Sequence, residues 1–213
     1  MTYDYSIYLV TDRSSMSTMT LCEAVEQAAL GGCTMVQLRE NGISSSEFYY
    51  LAKEVKKITD RYGLPLIINN RIDIALSVDA AGVHIGQKDI PADAARKVIG
   101  QSMLLGVSVS DLQEALRAQE AGADYLGVGA MFPTKTKKDA KIVPMEMLCT
   151  IRQNIRLPIV AIGGINRGNA ARFAELGVDG LAVVSAIIAQ PDIRRATEEL
   201  KQAFESASGK REA

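Results

Sequence analysis

Ala121-Gly122-Ala123-Asp124-Tyr125-Leu126-Gly127-Val128-Gly129 carries the chain from an amphipathic stretch into a short apolar run. Glycine at 122 suits a left-handed helix stop. Residues 125–129 read as a strand covered on both faces, as parallel strands under helices are. Similar junctions recur at Leu30-Gly31-Gly32, Ala81-Gly82-Val83 and Leu176-Gly177-Val178-Asp179-Gly180.

Working outward from these junctions, strands are predicted over residues 6–11, 35–40, 66–69, 83–85, 104–108, 125–129, 159–162 and 181–185. Helices are predicted over 20–30, 45–62, 72–78, 92–99, 112–120, 145–154, 169–176 and 193–206. The second helix puts Phe48, Leu51, Ala52, Val55 and Ile58 on one face, with Ser44 or Ser45 as its cap. Alternating strand–helix units with short connections require parallel strands. The expected fold is α/β: a single-domain (β/α)8 TIM barrel over residues 1–208, with a polar tail over 209–213. It is favoured over an open doubly wound sheet. A barrel places its active site at the carboxyl ends of its strands.

The formal net charge of −1 gives no global argument for nucleic acid or an anionic membrane as partner. The three cysteines, Cys22, Cys33 and Cys149, are too widely spaced for a zinc site. They read as reduced thiols of a cytoplasmic protein. The N-terminus lacks the pattern of a signal peptide, and no apolar run is long enough to span a bilayer. Oligomeric state is left open, homo-oligomers included.

The predicted strand ends nominate the site. They bear Gln37, Arg39 and Asn41; Asn69 and Asn70; Gln87 and Asp89; Ser108; Gly163-Gly164; and Val184-Ser185. After the sixth strand comes Pro133-Thr134-Lys135-Thr136-Lys137-Lys138, whose hydroxyls and ammonium groups suit phosphate or carboxylate. Gln37 and Arg39 share one face of their strand. A guanidinium inside a barrel needs either a carboxylate partner or an anionic ligand. Asp89 can be either a Mg2+ ligand or a loop cap. His84, the single histidine, lies in an apolar strand and reads as structural, which argues against a His-dependent triad.

Val36-Gln37-Leu38-Arg39-Glu40, Ile68-Asn69-Asn70-Arg71, His84-Ile85-Gly86-Gln87-Lys88-Asp89, Gly106-Val107-Ser108, Phe132-Pro133-Thr134-Lys135-Thr136-Lys137-Lys138 and Ile162-Gly163-Gly164-Ile165 follow one another in this order. Together they resemble the thiamine phosphate synthase family over nearly the full chain. The resemblance implies a transferase joining hydroxymethylpyrimidine diphosphate to a thiazole phosphate, in its carboxylated form, with release of diphosphate and help from one Mg2+ per site. It implies that Gln37, Leu38, Arg39, Glu40, Asn41, Asn69, Ser108 and Lys137 bind the pyrimidine diphosphate. Arg39, Lys137 and Ser108 would be catalytic. Thr134, Lys135, Thr136, Gly164, Val184 and Ser185 would hold the thiazole phosphate, and Asn70 and Asp89 the metal.

Two positions depart from the family pattern. Asn41 stands where lysine is usual, and Asn70 where aspartate is usual. The rival readings are a thiazole tautomerase-like isomerase and a non-catalytic binder of thiamine intermediates. The isomerase would need a proton-transfer group where this chain has Ala130.

Overall fold

The structure, a computed structural model, describes residues 3–134 and 141–208. Its elements run β1 (Ile7–Val10), α1 (Leu21–Leu30), β2 (Met35–Leu38), α2 (Ser45–Arg61), β3 (Leu66–Asn69), α3 (Ile72–Ser77), β4 (Gly82–Ile85), α4 (Ala92–Ile99), β5 (Leu104–Val109), α5 (Leu112–Glu120), β6 (Tyr125–Val128), α6 (Met145–Asn154), β7 (Ile159–Ile162), α7 (Ala170–Glu175), β8 (Gly180–Val183), α8 (Ser185–Ile188) and α9 (Ile193–Ser208). Every strand pairs in parallel with the next, and β8 returns to β1, closing the barrel. The expected (β/α)8 fold is the observed one. The expected tail over 209–213 lies outside the described residues.

Side-chain alternation divides the core in two. Ile7, Leu9, Val36, Leu38, Ile68, Val83 and Leu126 point outward into a shell shared with the helices. Tyr5, Tyr8, Val10, Met35, Ile67, Leu104, Tyr125, Val160 and Ala182 point inward and fill the barrel. Period-two geometry dictates the split, because neighbours along a strand face opposite ways. Gln37 and Arg39 continue the inward row begun by Met35.

The helices start where their caps dictate. Thr20 Oγ1 accepts from the Glu23 N–H of α1 at 3.1 Å. Ser44 and Glu47 form a reciprocal capping box on α2, which satisfies otherwise orphaned N–H groups. Gly32, Gly122 and Gly177 take positive φ just beyond α1, α5 and α7, as their junctions predict.

Gly82 does not play that role. It is the first residue of β4, where a side chain would strike the Leu104 carbonyl. Asp79 takes the left-handed turn there instead, with φ of 51°.

β1 and β6 each stop one residue short of expectation, and two strands stop two residues short. β2 stops at Leu38 because the Arg39 N–H turns to Thr11 Oγ1, at 2.9 Å. β8 stops at Val183, and Ser185 opens the short helix α8 rather than closing a strand.

The amino-terminal end of the barrel is tied by a repeated device. Asp124 Oδ2 accepts from the Leu105 N–H, and Asp179 Oδ2 from the Ile159 N–H, at 2.7 and 2.8 Å. Each carboxylate also meets an arginine from a neighbouring helix, Arg96 for Asp124 and Arg152 for Asp179. The Arg96 guanidinium, almost wholly buried, also donates to the carbonyls of Gly100, Met103 and Gly122. These aspartates lock each strand start to the helix before it.

Candidate active site

At the carboxyl ends of the strands lies a cavity of about 650 Å³. Arg39, Asn70, Asp89, Ser108, Thr134, Gly164, Val184 and Ser185 line it, one or two from the carboxyl end of each of β2 to β8 or just beyond it. With Gln87 and Gly163, which also line it, ten of the residues nominated from sequence are gathered at one mouth. Lys135, Thr136 and Lys137 lie outside the described residues. Thr134 and Lys141, which flank that run, both line the cavity.

Backbone bonds explain this convergence on the β6–β8 side. The N–H groups of Met131 and Phe132 donate to the carbonyls of Ile162 and Gly163, at 2.9 and 3.0 Å. The loop after β6 is thus strapped to the loop after β7. Gly163 and Gly164 take φ of 98° and 66°. At Gly164 a side chain would meet Phe132 Cβ at 2.6 Å, so glycine permits both the turn and the close approach. Beyond β8, Val184 turns the chain into α8, setting Ser185 at the rim.

On the opposite side, Arg39 projects from the end of β2 with its side chain about one-quarter exposed. Its Nη1 lies 3.6 Å from Asp12 Oδ2, an ion pair too long for a hydrogen bond. With the Asn41 amide turned to suit both neighbours, its oxygen accepts from Arg39 Nη2 at 3.1 Å. Asn41 therefore orients the guanidinium where a lysine would add a cation. Glu40 turns away and bonds Arg13 Nε at 3.3 Å.

Asn70 has a positive φ of 62°, a conformation asparagine tolerates better than most residues. Its N–H is held by the His84 carbonyl at 2.9 Å. Asp89 Oδ2 accepts from the Gly86 N–H at 2.7 Å, so this aspartate caps its loop and lines the cavity at once. Gln87 Nε2 donates to the Ser108 carbonyl at 2.8 Å, tying the ends of β4 and β5 together.

Five nominated side chains lie away from the lining, Asn41 among them through its contact with Arg39. Leu38 is fully buried against the helices. Glu40 is engaged by Arg13 as above. Asn69 ends β3 half-buried beside His84. Gln37 is buried below the mouth, donating to the Tyr8 hydroxyl at 2.9 Å.

Sequence reasoning missed Asp12, Tyr8, Tyr125, Ser110 and Glu114. Ser110 and Glu114 line the cavity and bond each other at 3.0 Å. Asp111 caps α5 and has Glu114 three residues later, a helix-start signal that could have placed this segment just past a strand end. His84 was read as structural. It is buried, and its Nε2 lies 2.8 Å from Ser108 Oγ. Among the described residues, no cluster of three or more His, Cys, Asp or Glu side chains could hold a metal. No helix among them is long and apolar enough to cross a membrane.

The family model described as thiamine monophosphate synthase matches residues 7–187. A thiamine-phosphate synthase of Clostridium beijerinckii is 61% identical over 201 residues, covering 94% of this chain and 96% of its own. One from Ruminiclostridium cellulolyticum is 56% identical with the same coverage of both chains. The solved structure of a thiamine phosphate pyrophosphorylase from Pyrococcus furiosus superposes with a TM-score of 0.89 at 39% identity, covering 96% of this chain and 98% of that one.

Proposed function

The chain belongs to the thiamine monophosphate synthase family, and from that membership we propose how its mouth works as the site of a transferase. The enzyme joins hydroxymethylpyrimidine diphosphate to thiazole phosphate, giving thiamine phosphate and diphosphate. The observation that carries the site assignment is the meeting of Arg39, Asn70, Asp89, Ser108, Thr134 and Gly164 in one cavity.

Arg39 takes the diphosphate. Its guanidinium is held on two sides, by Asp12 and Asn41, yet still faces the cavity. A planar, permanently charged fork suits a phosphate oxygen pair. Ser108 adds a hydroxyl at the end of β5. Lys137, in the run between two cavity-lining residues, supplies a second cation. Gln37, Asn41 and Asn69 shape the pocket beneath and beside the pyrimidine, while the side chains of Leu38 and Glu40 are directed away from it. The thiazole phosphate sits against Thr134, Lys135 and Thr136, with its phosphate on the backbone at Gly164, Val184 and Ser185. Loops after the seventh and eighth strands, with a short extra helix, form the phosphate site of many barrels.

The donor set fits Mg2+. Asn70 offers a carbonyl oxygen and Asp89 a carboxylate, both hard oxygen ligands on the cavity wall. One or two such ligands suffice when substrate phosphates and water complete the shell. When bound, the metal would neutralise charge on the departing diphosphate. Bond breaking leads bond making, because the aminopyrimidine stabilises positive charge on its methylene carbon. The thiazole nitrogen then attacks that carbon. Arg39 and Lys137 hold the departing anion, and the cavity keeps both reactants in contact. The step needs no protein nucleophile.

The isomerase reading is disfavoured by Ala130, which lines the cavity where a proton-transfer group would be needed. A coupled diphosphate-release assay tests the assignment. Diphosphate should appear only when both substrates and Mg2+ are present. Release with no dependence on the thiazole phosphate, or binding of both substrates with no release, would overturn it.

A further inference from the structure

Below the mouth, a line of hydrogen bonds crosses the barrel interior. Gln37 Nε2 donates to the Tyr8 hydroxyl at 2.9 Å. The Tyr8 and Tyr125 hydroxyls are 2.8 Å apart. Tyr125 Oη lies 3.0 Å from His84 Nδ1, and His84 Nε2 lies 2.8 Å from Ser108 Oγ. Gln37, Tyr8, Tyr125 and His84 are buried, and Ser108 opens onto the cavity.

Two glycines make room for this line. A Cβ at Gly106 would land on the Tyr125 phenol and 2.5 Å from His84 Nδ1. A Cβ at Gly127 would come within 3.1 Å of His84 Cε1. β5 and β6 thus lack side chains at inward positions where His84 and Tyr125 need the space.

The direction of each bond follows from counting protons. An amide NH2 can only donate, so the Tyr8 oxygen accepts and its own proton goes to Tyr125. Tyr125 in turn gives its proton to Nδ1. A neutral imidazole that accepts at Nδ1 carries its hydrogen on Nε2. That Nε2–H donates to Ser108 Oγ, and the serine proton is left to point into the cavity. Burial raises the ionisation of both phenols far above their ordinary range, so neither breaks the sequence by losing its proton.

We infer that Gln37, Tyr8, Tyr125 and His84 are positioning residues that fix His84 as its neutral Nε2–H tautomer and present the Ser108 hydroxyl to the cavity as a hydrogen-bond donor. The partner this donor suits is an acceptor atom of the pyrimidine diphosphate, an assignment that rests on the function proposed above. The polarity of the line does not rest on it. A serine turned the other way, donating to His84, would offer only lone pairs and would repel a substrate acceptor.

Because the sequence holds a single histidine, its ring nitrogens can be read without ambiguity in uniformly 15N-labelled, untagged protein. A long-range 1H–15N spectrum at pH 7.5 should show a bare Nδ1 and a protonated Nε2. A protonated Nδ1, or an imidazolium, would overturn the inference. Tyr125→Phe keeps the ring and removes the central hydroxyl. It should shift His84 toward a mixture of tautomers and lower kcat about tenfold, with KM for the pyrimidine diphosphate changed less than twofold. An unchanged kcat would refute the positioning role. The Nε2–H signature in a protein that releases no diphosphate would refute the function while leaving the line of bonds standing.

Discussion

Single residues set the metal end and the chemistry of the thiols. Asn70 sits in a left-handed turn on the cavity wall. Aspartate tolerates the same backbone, so Asn70→Asp should fold normally and restore a charged ligand. The expected outcome is a lower Mg2+ concentration for half-maximal activity, read from a metal titration of diphosphate release. An unchanged or higher requirement would remove Asn70 from the metal site. Cys33 is buried behind α1, and burial pushes its thiol up to about 12. The raised value means folding favours the neutral thiol. Its contribution is therefore complete below the ordinary value of 9.0 and is lost as pH rises toward about 12. At pH 8, iodoacetamide should spare Cys33 in the folded protein and label it in urea, as mass spectrometry would show. Labelling at equal rates in both conditions would contradict the burial.

Between elements, the Arg96 clamp is the contact with most at stake. Its guanidinium serves three carbonyls and Asp124 across the bases of α4, β5 and β6. Arg96→Met keeps the stem but orphans those groups. It should cost about 3 kcal/mol in urea unfolding, with catalysis largely kept because the clamp lies opposite the mouth. A change below about 0.5 kcal/mol, ordinary for a surface position, would demote the clamp. Element order was legible because each strand–helix unit repeats the alternation of apolar run and amphipathic run, most of them with a glycine stop. Helix α8 was not, because Leu181-Ala182-Val183-Val184-Ser185-Ala186-Ile187-Ile188 is apolar but for Ser185 and carries no period that separates strand from helix. The partnership of Tyr8, Tyr125 and His84 was hidden for another reason. Each is one inward position in a different apolar strand, and only closure and register bring the three to the same level. Asp12 was invisible because its partner, Arg39, is reached across the barrel seam between β1 and β2.

For the whole molecule, ligand and fold are linked through the mouth. The cavity takes walls from seven strands' ends, so an anion bound there bridges most of the barrel. Mg2+ with inorganic diphosphate at about one hundred times its Kd should stabilise the native state by about 2.7 kcal/mol. For a chain of this size that raises Tm by roughly 5–10 °C, measurable by calorimetry. Chelation with EDTA should return Tm to its starting value, and no shift with either addition would speak against an anion site at the rim. The inward cluster of Tyr5, Met35, Leu104, Tyr125 and Val160 has a kinetic consequence. It is a solid floor, so among the described residues no passage leads through the barrel's amino-terminal end. Reactants and products must pass each other at the same threshold, and whatever settles deepest is the last able to depart.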